Sequence, residues 1–403
     1  MLALLTFVSP VVGMVIIFVI LSYHFNKPIP QNLKKLTIPL AFCMAQFGYC
    51  LNPDLSDLTR YYAQMTQYGG YLNSIFINDS QGLYIRDVLM YLVNRTGDER
   101  LLAYIVGFII YGIVFYILFD MVERNREFLT MQEVTFMMLI ILGIVLPTST
   151  IANVRNITAY MMISYATYRD IIQKKKNLFT IFLYIAPLFL HTAAIFMLII
   201  RLLQVIAKKA GTWCIALALF FPLLVNTAYE YIELLPGKLL QSGVQKAYVY
   251  LNWTDGGYAS EIQGNIMNYV VRGYGAFYIL LVLGLIVFST RKKEVYRIID
   301  QPMVSYVVLV AVSALGCLYI TTGAFWRFEV IVMMLCPIYL IPIFKLRTQK
   351  VKSILFILFI SVMAMVSLNT VIYFLENGLS MFGKYLTGSG FIIIYDVVKG
   401  IVN

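Results

Sequence analysis

Apolar residues run through this chain in long stretches, separated by short polar segments in which Lys and Arg concentrate. Ten stretches read as membrane crossings, at 2–21, 36–51, 101–121, 133–147, 155–168, 212–228, 268–289, 303–321, 326–344 and 353–375. A hydrocarbon layer about 30 Å thick asks for roughly 20 such residues in a helix. An eleventh run, 178–203, is longer and holds Pro187 and His191 at its centre. It is either one long span or a tight hairpin of two short helices.

Positive charge separates the two. With a hairpin and an external N-terminus, the loops near 22–35, 122–130, 169–177, 201–210, 291–300 and 345–352 are cytoplasmic and hold 20 of the 31 Lys and Arg. With a single span, everything after it inverts and the split becomes 15 to 16. Cytoplasmic loops carry the excess of positive charge, which selects the hairpin. The fold class this predicts is all-α: a polytopic integral membrane protein of about 12 transmembrane helices. Both termini lie outside and residues 1–403 form one transmembrane domain.

Two external segments are long. Residues 52–100 contain a stretch at 83–93 that carries Arg86 and Asp87 and is too short to span, so it reads as a short re-entrant or interfacial helix. Residues 229–267 form a second outer loop, polar and aromatic.

Composition excludes the soluble alternatives. The 403 residues would suit two or three soluble domains, but 61% are hydrophobic, 13% are charged and mean hydropathy is +0.80. Lipid must solvate that much apolar surface. The net charge of +11 belongs to the loops and does not point to nucleic acid. The first 21 residues lack a basic n-region and a small-residue cleavage site, and read as a retained span. Cys43, Cys50, Cys214, Cys317 and Cys336 stand singly, without metal-type spacing. No nucleophile elbow, phosphate loop or zinc motif occurs, and neither a metal nor another cofactor is called for.

The chemistry that remains lies at the outer ends of spans. Arg155, Arg272 and Arg327 each open a span there, in Asn153-Val-Arg-Asn156, Val271-Arg-Gly273 and Phe325-Trp-Arg-Phe328. A guanidinium at a helix N-terminus adds a fixed charge and a donor fork to the positive end of the helix dipole, a combination suited to a pyrophosphate. A lone arginine at that depth more often snorkels to the interface. Three on the face that charge otherwise avoids weaken that bland explanation. His191 sits at the apex of the hairpin, either closing the turn as a packed residue or facing an outer cavity as a donor or base. After the second span, Asn52 and Pro53 break the helix, and Asp54 or Ser56 can cap a new one. From Asp57, Arg60 and Tyr61 follow at i+3 and i+4 on one face, a carboxylate, guanidinium and phenol suited to sugar hydroxyls or simply to a solvated turn.

These residues resemble the EpsG-type branch of Wzy-like bacterial polysaccharide polymerases. The resemblance rests on Asp57-x-x-x-Tyr61, on Asn153-Val-Arg-Asn-Ile-Thr-Ala159, and on the basic Lys174–Lys176 followed by Leu190-His-Thr-Ala-Ala194. It also rests on Trp326-Arg-Phe328, and it extends from about residue 54 to 342. Asn156 departs from it, since the family more often has Gln after the arginine. The resemblance implies a metal-independent glycosyltransferase of the bacterial cytoplasmic membrane that joins undecaprenyl-pyrophosphate-linked repeat units on its outer face. O-antigen, capsule and exopolysaccharide are all compatible products. His191 and Asp57 would be the catalytic candidates, and Arg155, Arg272, Arg327, Arg60, Tyr61 and Asp54 would bind substrate. Membrane lipid, a chain-length regulator and a flippase of the same pathway would be partners. The competing reading, a lipid-linked oligosaccharide flippase, asks for charges through the midplane and two related halves, and the span interiors here are almost charge-free.

Overall fold

Helices form over the apolar runs, and prolines decide where several of them break. A computed structural model describes residues 1–25, 27–51, 58–66, 68, 82–144, 147–234, 241, 243–245, 248, 266–290, 301–318, 322–346 and 349–402. Among them every regular element is helical and none is a strand. The first run is divided into α1 (Leu2–Val8) and α2 (Pro10–Tyr23). Pro10 brings no N–H and sits at the first helical position, and the Ser9 hydroxyl accepts from the Val12 N–H at 3.5 Å. Then come α3 (Thr37–Tyr49), α4 (Leu58–Met65), α5 (Tyr84–Asn94), α6 (Leu101–Arg124), α7 (Met131–Leu139) and α8 (Pro147–Ala152). A capping box between Thr130 and Glu133 starts α7, which runs on into a π-turn at Ile140–Ile144. Next are α9 (Asn156–Ile171), α10 (Leu178–Leu190), α11 (Ala194–Glu230), α12 (Ile266–Thr290) and α13 (Pro302–Leu318). The chain ends with α14 (Thr322–Met334), α15 (Cys336–Phe344), α16 (Gln349–Thr387) and α17 (Gly390–Val402).

Two described helices are long and apolar enough to cross a membrane alone, α6 and the stretch Val351–Leu368 of α16. The pair Phe325–Met334 and Cys336–Phe344, bent by 47°, makes a third if it is one broken span. Pro337 lies at that bend and has no N–H to continue the ladder. Six further apolar helices run 10–17 residues. Large apolar side chains stay exposed in belts, among them Val15, Phe18 and Val19 on α2, Phe179, Phe182 and Ile185 on α10, and Phe356 and Ile360 on α16. Such belts need lipid as their solvent, and the chain is a membrane protein.

The run 178–203 does reverse direction. Helix α10 stops at Leu190, His191 is extended (φ −155°, ψ 125°), and α11 begins at Ala194. Arg201 Nε lies 3.4 Å from the Tyr184 hydroxyl and Arg201 Nη2 lies 2.6 Å from Asp170. In one straight helix Tyr184 and Arg201 would stand about 25 Å apart at 1.5 Å per residue, beyond the reach of their side chains. Beyond the hairpin the sequence reading needs correction. The basic segment 201–210, read as a loop, has helical backbone within α11, yet α11 turns back between Phe196 and Ala218: both line one small cavity, and a straight helix would set them about 33 Å apart.

Each end of the bundle has its own polar clasp. At one end Asp120 accepts from Lys34 (2.5 Å), Arg124 (2.8 Å) and the Tyr168 hydroxyl, and Lys34 also reaches Glu123 at 3.2 Å. The other end holds the N-termini of α6 and α9. There Arg100 pairs with Asp98 (2.9 Å) and Asp396 (3.1 Å) and donates to Tyr49 at 2.7 Å. Asp396 belongs to α17, which lies beyond the last span read from the sequence. Its Gly400 rests on the turn at Thr96–Gly97, where a Cβ would stand 1.9 Å from the Thr96 carbonyl oxygen.

Candidate functional site

Five of the described residues singled out from the sequence meet at the end of the bundle that holds the α9 N-terminus. Arg155 immediately precedes α9, and its Nε donates to the Tyr61 hydroxyl at 2.8 Å. The guanidinium carbon lies 4.9 Å from the centre of the Tyr61 ring. Tyr61 is 1% exposed and stands on α4, with its phenol turned inward to Arg155. Arg60 points the other way and is exposed, with its guanidinium carbon 5.4 Å from the same ring. Arg155 makes no ion pair among the described residues, so its charge is compensated there only by the phenol and its ring.

Asn156 links the other members. An amide's oxygen and nitrogen are told apart by their partners. Set by its partners, the Asn156 oxygen accepts from Arg327 Nε at 3.2 Å and Nη2 at 3.3 Å, and its nitrogen donates to His191 Nε2. Asn156 and His191 are 4% and 2% exposed. One turn deeper, the rings of Tyr160 and Phe328 stack at 5.4 Å and hold α9 against α14. Arg327 thus stands on the first turns of α14, beside the first residue of α9 and under the apex of the α10–α11 hairpin.

Through Asn156 the buried His191 ring is tied to the Arg327 guanidinium.

Three further residues were singled out from the sequence. Asp54 and Asp57 fall outside the described residues. Arg272 lies in α12, of which the backbone alone is described at that position. One turn beyond it, Gly275 meets α14: a Cβ there would be 2.1 Å from the Glu329 carboxylate. Glu329, 4% exposed, went unnoticed in the sequence, as did the bridging role of Asn156. Glu329 reads there as one acid in an apolar run, a signal that could have marked it.

The short helix expected over 83–93 is α5. It exposes Tyr84, Val88 and Leu92 at i, i+4 and i+8 and buries Asp87, whose carboxylate accepts from the Tyr68 hydroxyl and from Arg86 at 2.6 Å. Tyr84 stacks on Phe189 at 6.4 Å, which sets α5 beside the hairpin apex.

These residues fall inside one family match. The model described as EpsG family covers residues 35–382, from the start of α3 to the last turns of α16. The chain belongs to the EpsG family. EpsG proteins are associated with polysaccharide biosynthesis and with glycosyltransferase-like polymerase activity. No curated protein and no solved structure matches the chain. The EpsG match takes in Tyr61, Arg155, Asn156, His191 and Arg327 together. Among the described residues no group of three metal-ligating side chains occurs.

Proposed function

We propose that this EpsG protein is a polysaccharide polymerase of the bacterial cytoplasmic membrane, with about 12 crossings and its site on the outer face. The observation that carries this reading is the joint of Asn156 to Arg327 and His191, next to Arg155 on Tyr61, at helix N-termini of a lipid-solvated bundle. The donor is a glycan on undecaprenyl pyrophosphate and the acceptor is a second lipid-linked repeat unit. The acceptor's sugar hydroxyl attacks the anomeric carbon of the donor, the bond to pyrophosphate breaks, and the lipid pyrophosphate leaves.

Charge developing on that leaving group is the barrier, and fixed cations facing it lower the barrier without reorganising. Arg155 and Arg327 supply them, with Arg272 as the third member. The hydroxyl proton goes to a base. Asp57, four residues before Tyr61, takes that role in our reading, and His191 packs against the Asn156 amide that reaches Arg327. Arg60 and Asp54 contact sugar hydroxyls. A flippase and a chain-length regulator of the same pathway would supply the substrate and limit the product.

Purified protein given a lipid-linked repeat unit should produce a ladder of products on a gel. Absence of a ladder, with lipid-linked substrate crossing the bilayer instead, would overturn the reading in favour of a flippase.

A further inference from the structure

We infer that the turn between α9 and α10 is a preformed docking site for the headgroup phosphate of an anionic phospholipid, at the end of the bundle opposite Arg155. The turn carries Lys174, Lys175 and Lys176 in a row, all exposed. Its backbone is pinned. The Ile172 and Gln173 N–H groups donate to the Tyr168 carbonyl at 2.8 and 3.3 Å, and the Lys175 N–H donates to the Arg169 carbonyl at 2.9 Å. The Lys175 carbonyl accepts from the Thr180 hydroxyl at 2.7 Å, and Asn177 caps α10 by accepting from the Thr180 N–H at 3.1 Å. Gln173 donates to the Tyr116 hydroxyl at 2.9 Å and to Asp120 at 3.3 Å. Lys174 takes a left-handed conformation, φ 58°, where glycine is the usual occupant. Strain of that kind collects at functional positions.

Beneath the lysines lies Arg169, 8% exposed, which donates to the Thr180 hydroxyl at 3.1 Å and to Asn177 Oδ1 at 3.2 Å. Neither Arg169, Lys174 nor Lys175 pairs with a carboxylate among the described residues. The acids close by are engaged elsewhere. Asp170 is held by Arg201 at 2.6 Å and touches Lys176 only at 3.8 Å, and Asp120 is held by Lys34 and Arg124. Four cations thus stand together with little charge opposite them. Their depth identifies the partner. Helix α10 starts at Leu178, directly after the turn, and Leu178, Phe179, Ile181, Phe182 and Ile185 are exposed as lipid-facing residues. The lysines therefore sit at the rim of the hydrocarbon, where phospholipid phosphates are the anions within reach. Charge bias between the two faces asks only that lysines be present here, in any conformation. A pinned turn goes further, because ammonium groups already in place lose less freedom on binding than those of a flexible basic tail.

The experiment places the full chain in nanodiscs that mix phosphatidylglycerol with phosphatidylcholine, and counts the lipids that stay on the protein by native mass spectrometry. Wild type should retain phosphatidylglycerol in preference to phosphatidylcholine. Lys174→Gly suits the fold, since glycine takes a positive φ without strain, and Lys175→Gln and Lys176→Gln keep the backbone bonds of the turn. Each neutralised lysine should weaken the preference about fivefold and the triple variant about a hundredfold, while thermal stability in neutral detergent holds or rises. Labelling of Glu99→Cys should show the same sidedness in both proteins. Should the triple variant insert inverted, Lys174→Gly alone, which removes one charge, carries the test. Wild type without the preference, or a preference that survives these substitutions, means ordinary boundary lipid and overturns the proposal. Displacement of the lipid by millimolar inorganic phosphate would assign the turn to a free anion, and displacement by soluble polyglutamate to an acidic protein segment; either result overturns it too.

Discussion

Asn156 joins two segments because an amide both donates and accepts. Asn156→Leu keeps the volume and loses both functions, leaving Arg327 and His191 without these contacts at buried positions. Burying polar groups without partners costs about 1–3 kcal/mol each, so the variant should melt at lower temperature in detergent and lose polymer. Arg155→Ala and Arg327→Ala should act differently. Each should remove about 2–4 kcal/mol of transition-state stabilisation, a loss of ~10²–10³ in rate, with membrane abundance little changed. Lysine should rescue only in part, since an ammonium keeps the charge but cannot reproduce the fork that reaches Asn156 through Nε and Nη2. Ladder intensity and protein level measured together check both outcomes. Normal polymer from both alanine variants would end the pyrophosphate reading. The arginines and His191 were legible in the sequence, because charge and an imidazole are conspicuous against apolar runs. Asn156 was visible only as a family departure, since an amide becomes a bridge only when its neighbours arrive.

Between elements, small residues set how closely helices approach. Helix α3 crosses α6 at Gly48, where a Cβ would stand 2.6 Å from the Ala103 carbonyl oxygen, and at Gly107, where it would stand 3.0 Å from that of Met44. Gly48→Leu should force these helices apart and destabilise by about 1–3 kcal/mol, seen as lost folded protein after extraction. At the other end of α6, the clasp on Asp120 makes a pH prediction. Burial by itself would lower the Lys34 pKa, but hydrogen bonds and charge from Asp120 and Glu123 outweigh it and raise it above 10.5. A cation whose folded pKa is raised stabilises fully below its unfolded pKa, and that contribution is lost as pH rises through the folded pKa. Thermal stability should therefore fall above about pH 10.5, and Lys34→Met should flatten the fall. Asp120→Ala should cost on the order of 2 kcal/mol, less than a fully buried pair because Lys34 and Arg124 reach water. These clasps join helix ends and loops far apart in sequence, so the sequence showed their charge and not their pairing.

For the whole molecule, the test is sidedness. The five cysteines are buried, which leaves a quiet background for single reporter cysteines. Glu99 is exposed at the end that holds Arg155, and Lys175 is exposed at the end of the Asp120 clasp. An impermeant maleimide should label Glu99→Cys in intact cells and Lys175→Cys only after the membrane is opened. The reverse pattern would invert the charge-based topology.

The apolar runs and the hairpin at His191 were determined by the sequence, because hydropathy and charge are local sums that lipid and the membrane's asymmetry read directly. Helix propensity is local too, which is why the break at His191 was found, while over 201–210 charge argued for a loop and the backbone there is helical. Tertiary structure alone decided that Tyr61, Arg155, Asn156, His191 and Arg327 share one site, and that α17 returns to Arg100. Those contacts join residues up to 296 positions apart. They depend on which helix faces fit one another, and packing of side chains at van der Waals distance leaves no periodic trace in the chain.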